Sequence, residues 1–186
     1  MVIEPEPIEA GPYTIRWWET GDADLLAEAV TLSSAHLRPW MPWFDSEPLT
    51  VEQRGELITY WRNIARSGGD EHFGVFEQAR VVGAVGLHRR VDPDGVEIGY
   101  WTHVRHVRRG VATAAARALA SYAFRDAALR YVEIHHDEAN HLSARIPRRL
   151  GFTLCGTYEA PRCAEGQSGR ECVWRVTRSE WRGGCF

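Results

Sequence analysis

The sequence contains no lysine: all 22 of its Lys and Arg positions are arginine. It also lacks any apolar run approaching the roughly 20 residues that a membrane span needs, so no membrane helix and no membrane partner are expected. Cysteine is sparse. Cys155, Cys163, Cys172 and Cys185 include no C-x-x-C pair, and no histidine pair completes a zinc pattern, so no metal is expected. Free thiols in a reducing compartment are the reading, with a Cys163–Cys172 contact across a Gly/Ser-rich hairpin as the weaker alternative. The segment from Met1 to Gly11 carries Glu4, Glu6 and Glu9 but no basic start followed by an apolar stretch. It therefore does not read as a signal peptide, and cytoplasmic residence is the default expectation. A surplus of positive charge is missing as well. With a formal net charge of −3, the chain is not built to grip nucleic acid through its phosphates.

What is present is an ordinary globular balance, 44% hydrophobic and 25% charged in 186 residues, enough for one domain spanning 1–186. Residues 1–11 read as a flexible lead and 178–186 as a tail. Tyr13 to Trp18 alternates as a strand. Leu25, Leu26, Ala29 and Val30 give a helical face, after which Pro39, Pro42 and Pro48 enforce a loop. Thr50-Val51-Glu52-Gln53 is a capping box that opens a second helix running to about Ala65. His72–Glu77, Arg80–His88 and Val96–Thr102 read as a meander broken by turns. Gly110 to Phe124 has helical spacing, Tyr131 to His135 is strand-like, and Asn140 to Leu150 reads as a short helix stopped by Gly151. Thr153–Tyr158 and Glu171–Thr177 close the sheet. The fold class is α/β: a mixed, mostly antiparallel seven-stranded sheet with about four helices.

Chemistry concentrates first in Val107-Arg108-Arg109-Gly110-Val111-Ala112-Thr113, between a strand and a helix. A helix start offers unpaired amides and the positive end of the macrodipole. Gly110 permits close backbone approach, and Arg105, Arg108 and Arg109 add charge, so the segment suits a diphosphate as well as it suits a solvated helix start. It is neither a Walker loop nor a dinucleotide glycine pattern.

A second block, Asn140-His141-Leu142-Ser143 leading to Arg149-Leu150-Gly151-Phe152, resolves the choice. Together with Glu97-Ile98-Gly99-Tyr100-Trp101, the glycine turn and Glu133-Ile134-His135-His136-Asp137, it resembles the RimJ/RimL-like branch of the GNAT acetyltransferase superfamily, over Tyr13 to Thr177. The resemblance implies a splay between the fourth strand (Val96–Thr102) and the fifth (Tyr131–His135), with acetyl-CoA as cosubstrate in the wedge. It further implies that backbone at Trp101, Thr102 and His103 pairs with the pantetheine and that amides from Arg108 to Thr113 hold the pyrophosphate. Asn140 is then expected on the pantetheine and Ser143 near the sulfur. Val107 stands where the family turn usually begins with Gln or Arg, leaving Arg105 or Arg108 to supply the charge. A chain without lysine has none of its own to acetylate.

Transfer to an amine needs a neutral nitrogen, a polarised carbonyl and a proton for the leaving thiolate. The resemblance implies direct transfer in a ternary complex, and no cysteine lies in the motifs to carry an acyl group. Glu97 is the first base candidate, weighed evenly against a structural carboxylate paired with an arginine. His135 and His136 rank second. Family members often use a tyrosine after the fifth strand as acid. None occurs between Asn140 and Leu150, so Ser143 is the candidate donor. Pro147 is expected to leave the Ser143 carbonyl unpaired or to delay the helix start. Trp40, Trp43 and Asp45 in the proline-bounded loop are candidates for the acceptor wall, with the tryptophans packed and Asp45 facing the amine. The acceptor is read as a small or peptide-like amine, an antibiotic included. A protein N-terminal α-amine is the alternative, and a CoA-binding module without catalysis is the third reading. A homodimer is left open.

Overall fold

A computed structural model describes residues 4–183. Its centre is an eight-stranded sheet in the order β1-β2-β3-β4-β5-β6-β8-β7. The strands are β1 (Ile8–Ala10), β2 (Tyr13–Trp17), β3 (Glu71–Glu77), β4 (Arg80–His88), β5 (Gly95–Thr102), β6 (Tyr131–Asp137), β7 (Thr153–Glu159) and β8 (Arg170–Thr177). The helices are α1 (Ala23–Leu37), α2 (Val51–Arg66), α3 (Val111–Ala123) and α4 (Arg145–Leu150). Every strand pair is antiparallel except β5 with β6.

The two faces of the sheet are covered by different helices. Ile15, Val85, Ile98, Val132 and Ile134 pack under α3, whose Val111, Ala115, Ala116 and Leu119 are buried. The small side chains let α3 lie close to β4 and β5. The other face carries Trp18, Phe76 and Val81 under α1 and α2, through Leu26, Val30 and Ile58. The capping box of α2 forms as read: Thr50 Oγ1 accepts the Gln53 amide at 3.2 Å, and Gln53 Oε1 accepts the Thr50 amide at 2.9 Å.

Several expectations are corrected. The sheet has eight strands rather than seven, because Ile8 and Ala10 bury while Glu9 is exposed, and Gly11 at φ 67° turns that segment onto β2. Residues 8–10 are therefore not a flexible lead. The tail is anchored up to Gly183. Arg178 Nη1 donates to the Phe124 carbonyl at 2.6 Å, and the Trp181 ring packs edge-on to Phe152 at 6.0 Å. The short helix starts at Arg145, not Asn140, so Asn140 and Ser143 lie in the turns before it. Of the two readings of Pro147 the delayed helix start holds, and the Ser143 carbonyl is not orphaned but accepts the Ile146 amide at 3.0 Å. Cys155, Cys163 and Cys172 are free, as the leading reading expected, and only its weaker alternative, a Cys163–Cys172 contact, falls away; Cys185 lies outside the described residues. No helix among the described residues is long and apolar enough to cross a membrane.

Candidate active site

The strands β5 and β6 pair only from Gly95–Glu97 with Tyr131–Glu133. Beyond that point each keeps its outer neighbour: β5 stays on β4 to Thr102, and β6 stays on β8 to Asp137. Their facing edges part, and a wedge opens toward the C-terminal ends of both strands. Its narrow end is the register pair Glu97–Glu133.

At the wide end of β5 the chain enters the glycine turn. Gly110 caps α3 with φ 84°, and a side chain there would meet nothing within 4 Å. Arg108 also has positive φ, at 62°. Arg105, Arg108 and Arg109 are exposed. The amides of Val111, Ala112 and Thr113 form the first turn of α3, where no carbonyl precedes them to pair with, and Ala114 is the first to bond back, to Gly110 at 2.9 Å. The loop is braced from beneath. Tyr13 donates its hydroxyl to the Arg109 carbonyl at 3.2 Å, Ser33 Oγ accepts the Val104 amide at 3.0 Å, and His103 Nδ1 accepts the Arg105 amide at 3.1 Å. The side chain of His103 is thus occupied by the loop itself. Trp101 turns away from the wedge and packs with the α1–α2 cluster. Sequence spacing offered no sign of the bracing by Tyr13, which lies 96 residues from its partner.

Across the wedge, Asn140 Oδ1 accepts the Ser143 amide at 3.1 Å, which leaves its NH2 free for another acceptor. Tyr100 of β5 spans the gap. Its hydroxyl lies 3.0 Å from Ser143 Oγ and 3.4 Å from the Ser143 carbonyl oxygen. Burial pushes the Tyr100 phenol well above its ordinary value, so it stays protonated. Tyr100 was missed in the sequence because its partner is 43 residues away.

The narrow end holds a dense set of charges. Arg90 grips Glu97 with Nε at 2.6 Å and Nη2 at 2.5 Å, and the carboxylate is only 5% exposed. Arg175 holds a single oxygen of Glu133, Oε1, with Nε at 2.7 Å and Nη2 at 2.6 Å, which leaves Oε2 to His135. His135 sits among three carboxylates: Nε2 at 2.7 Å from Glu133, Nδ1 at 3.3 Å from Glu171 and 3.7 Å from Glu97. Burial opposes its charge, but the bonds to Glu133 and Glu171 and the charge of Glu97 outweigh it and raise its pKa to about 9. His135 is therefore an imidazolium at neutral pH. His136 is structural. Its Nε2 accepts from Trp174 Nε1 at 2.9 Å, which fixes Nδ1 as donor to the Asp137 carbonyl at 2.8 Å.

The proline-bounded loop meets the β7–β8 connection beside the wedge. Gly166 donates its amide to the Pro39 carbonyl at 2.8 Å, and Gln167 Nε2 lies 3.5 Å from the Trp40 carbonyl. The packing expected of the tryptophans is corrected. Phe44 is the buried aromatic, Trp43 is 37% exposed and stacks on it at 4.4 Å, and Trp40 is half-buried. Asp45 is exposed.

A parallel pair that splays beside a glycine-capped helix start defines a CoA-dependent acyltransferase. The residues present fit that cosubstrate: an amide cradle with open space over Gly110, an unpaired edge of β5 beyond Glu97, and an amide NH2 on Asn140. Residues 13–153 match the acetyltransferase (GNAT) domain family, and the chain belongs to it. It is an acetyl-CoA-dependent N-acetyltransferase. It is 28% identical over 171 residues to YdaF of Bacillus subtilis, covering 91% of this chain and 93% of that protein, which carries the provisional name of a ribosomal N-acetyltransferase. Among solved structures, one described only as a probable acetyltransferase superposes with a TM-score of 0.86 at 27% identity, covering 95% of this chain and 99% of the other. The structure of RimL, a ribosomal L7/L12 alpha-N-protein acetyltransferase in complex with coenzyme A, superposes with a TM-score of 0.84 at 19% identity, over 92% of this chain and 98% of that one.

Proposed function

We propose that the protein transfers the acetyl group of acetyl-CoA directly to the α-amine at the N-terminus of a protein or peptide, of the ribosomal-protein kind. The likeness to YdaF along nearly the full length of both chains carries this reading. It moves the balance from the small amine first read in the sequence to the protein N-terminus. In this reading the amides from Arg108 to Thr113, with Arg105, Arg108 and Arg109 around them, hold the pyrophosphate. Backbone at Trp101, Thr102 and His103 and the Asn140 NH2 hold the pantetheine. Trp40, Trp43 and Asp45 wall the acceptor entrance.

The amine nitrogen attacks the thioester carbon, the C–N bond forms and the C–S bond breaks toward the thiolate. With the Tyr100 proton on Ser143 Oγ, the Ser143 proton is free to hydrogen-bond that thiolate. Glu97 and His135 have a different proposed role. One is clasped by Arg90 and the other carries a proton, so both pin β5, β6 and β8 where the wedge closes.

Thiol release from acetyl-CoA, followed with N-terminal peptides of ribosomal proteins, the same peptides with blocked N-termini, and a panel of small amines, tests the proposal. Release with free-amine peptides and none with blocked ones is the expected result. Release with small amines alone overturns the acceptor assignment.

A further inference from the structure

The sheet face under α1 and α2 carries polar side chains that neither the cradle nor the Glu97 cluster uses. His88, the last residue of β4, places Nδ1 2.9 Å from Asp70 Oδ2, and the other Asp70 oxygen accepts the Arg89 amide at 2.8 Å. An ionised carboxylate on Nδ1 keeps the proton there and leaves the lone pair on Nε2. The Asp70 carboxyl lies below its ordinary range: burial opposes ionisation, and the His88 bond and Arg89 amide outweigh it.

The position of Nε2 is set by two glycines. A Cβ at Gly99 would lie 2.9 Å from it and a Cβ at Gly86 3.1 Å. Gly86 and Gly99 are register partners on β4 and β5, so the ring lies over a floor without side chains. Among the described residues Nε2 has no hydrogen-bond partner. Gly99 comes two residues after Glu97, the last residue of β5 paired to β6. The next residue, Tyr100, points to the opposite face, toward Ser143. The free edge of β5 at Gly99–Tyr100 therefore has an imidazole lone pair on one side and the Tyr100–Ser143 hydroxyl pair on the other.

We infer that His88, oriented by Asp70, is the general base that takes the proton from the acceptor amine. The inference rests on the proposed direct transfer. A thioester lying along that edge, with sulfur toward Ser143, turns its other side to His88. The nitrogen lone pair forms the C–N bond, the C–S bonding pair leaves with sulfur, and the proton lost by nitrogen passes to Nε2 and then to solvent. Other groups facing His88 are His72 from β3 and Glu97 from β5, the latter clasped by Arg90, while α2 contributes the Trp61 ring stacked on His72 at 4.6 Å. Burial lowers His72 to about 4, so it is neutral and does not compete for the proton at working pH.

The test compares wild type with His88→Gln, Asp70→Asn and His88→Ala, on whichever amine the wild type accepts, across pH 5.5–9. His88→Gln is expected to lower kcat/KM about a hundredfold with unchanged acetyl-CoA affinity. Asp70→Asn should lower it about tenfold, and added imidazole should restore part of the His88→Ala loss. An active wild type matched by His88→Gln overturns this inference alone, as does loss in His88→Ala without imidazole rescue. A wild type inert to every amine overturns the proposed function with it. Asp70, His72 and His88 place ligand-type atoms within 4.8 Å of one another. Wild-type activity abolished by a chelator and restored by zinc would make them metal ligands and overturn the base assignment.

Discussion

At the scale of single residues, the chemistry turns on hydroxyl and carboxylate groups whose partners are distant in the chain. Ser143 has two separable duties, because its amide closes a turn on Asn140 while its hydroxyl meets Tyr100. Ser143→Ala removes only the second. It is expected to lower kcat about a hundredfold with the melting temperature nearly unchanged. Tyr100→Phe leaves the Ser143 hydroxyl in place and should lower kcat about tenfold, with acetyl-CoA affinity retained. Calorimetric titration and steady-state kinetics on the same samples check both. Normal turnover in Ser143→Ala would assign that hydroxyl to structure alone. The sequence named Ser143 through a motif, but it could not name Tyr100, since alternation along β5 says which face a side chain takes and not what stands opposite.

At the scale of elements, the start of α3 is where local sequence and ligand binding coincide. Gly110 holds φ 84°, a conformation that costs an L-residue about 1 kcal/mol, and the space above it is open. Gly110→Ala should therefore lower the melting temperature by about 2–4 °C and weaken acetyl-CoA binding modestly. Gly110→Glu adds a carboxylate where the pyrophosphate is proposed to lie and should weaken binding at least about a hundredfold. Wild-type affinity in a folded Gly110→Glu protein would move the cradle elsewhere. The neighbouring helix α4 shows the limit of pattern reading. Apolar and polar spacing put its start at Asn140, but Asn140 spends its side-chain oxygen on a turn, and Pro147 lacks an amide, so helical bonding begins only near Arg145.

At the scale of the whole molecule, the cluster at the closed end of the wedge ties β5, β6 and β8 through one half-buried cation and three carboxylates. The folded state raises His135 from 6.5 to about 9. A raised pKa means that folding takes up a proton, so this stabilisation is complete below about pH 6.5 and is lost as pH rises through about 9. The side chain is only 17% exposed, and the loss should reach about 3 kcal/mol at most. Urea denaturation at pH 6 and pH 9.5 should show wild type losing stability between them. His135→Gln should be less stable at pH 6 and nearly flat over the same interval. A wild type equally stable at both values would remove His135 from the balance.

The sequence by itself determined the order of elements from β2 onward, the capping box at Thr50, the glycine-capped start of α3 and the motif blocks that mark the family. Each of these is encoded within a few consecutive residues, where hydrophobic period, caps and backbone freedom act locally. Tertiary structure alone decided which charges meet. Arg90 on Glu97, His135 among Glu133, Glu171 and Glu97, and Asp70 on His88 are contacts set by strand register, and register emerges only when the whole sheet buries its two faces. For that reason the sequence ranked Glu97 first and His135 second as bases, while only the folded sheet shows one clasped by an arginine and the other already carrying its proton.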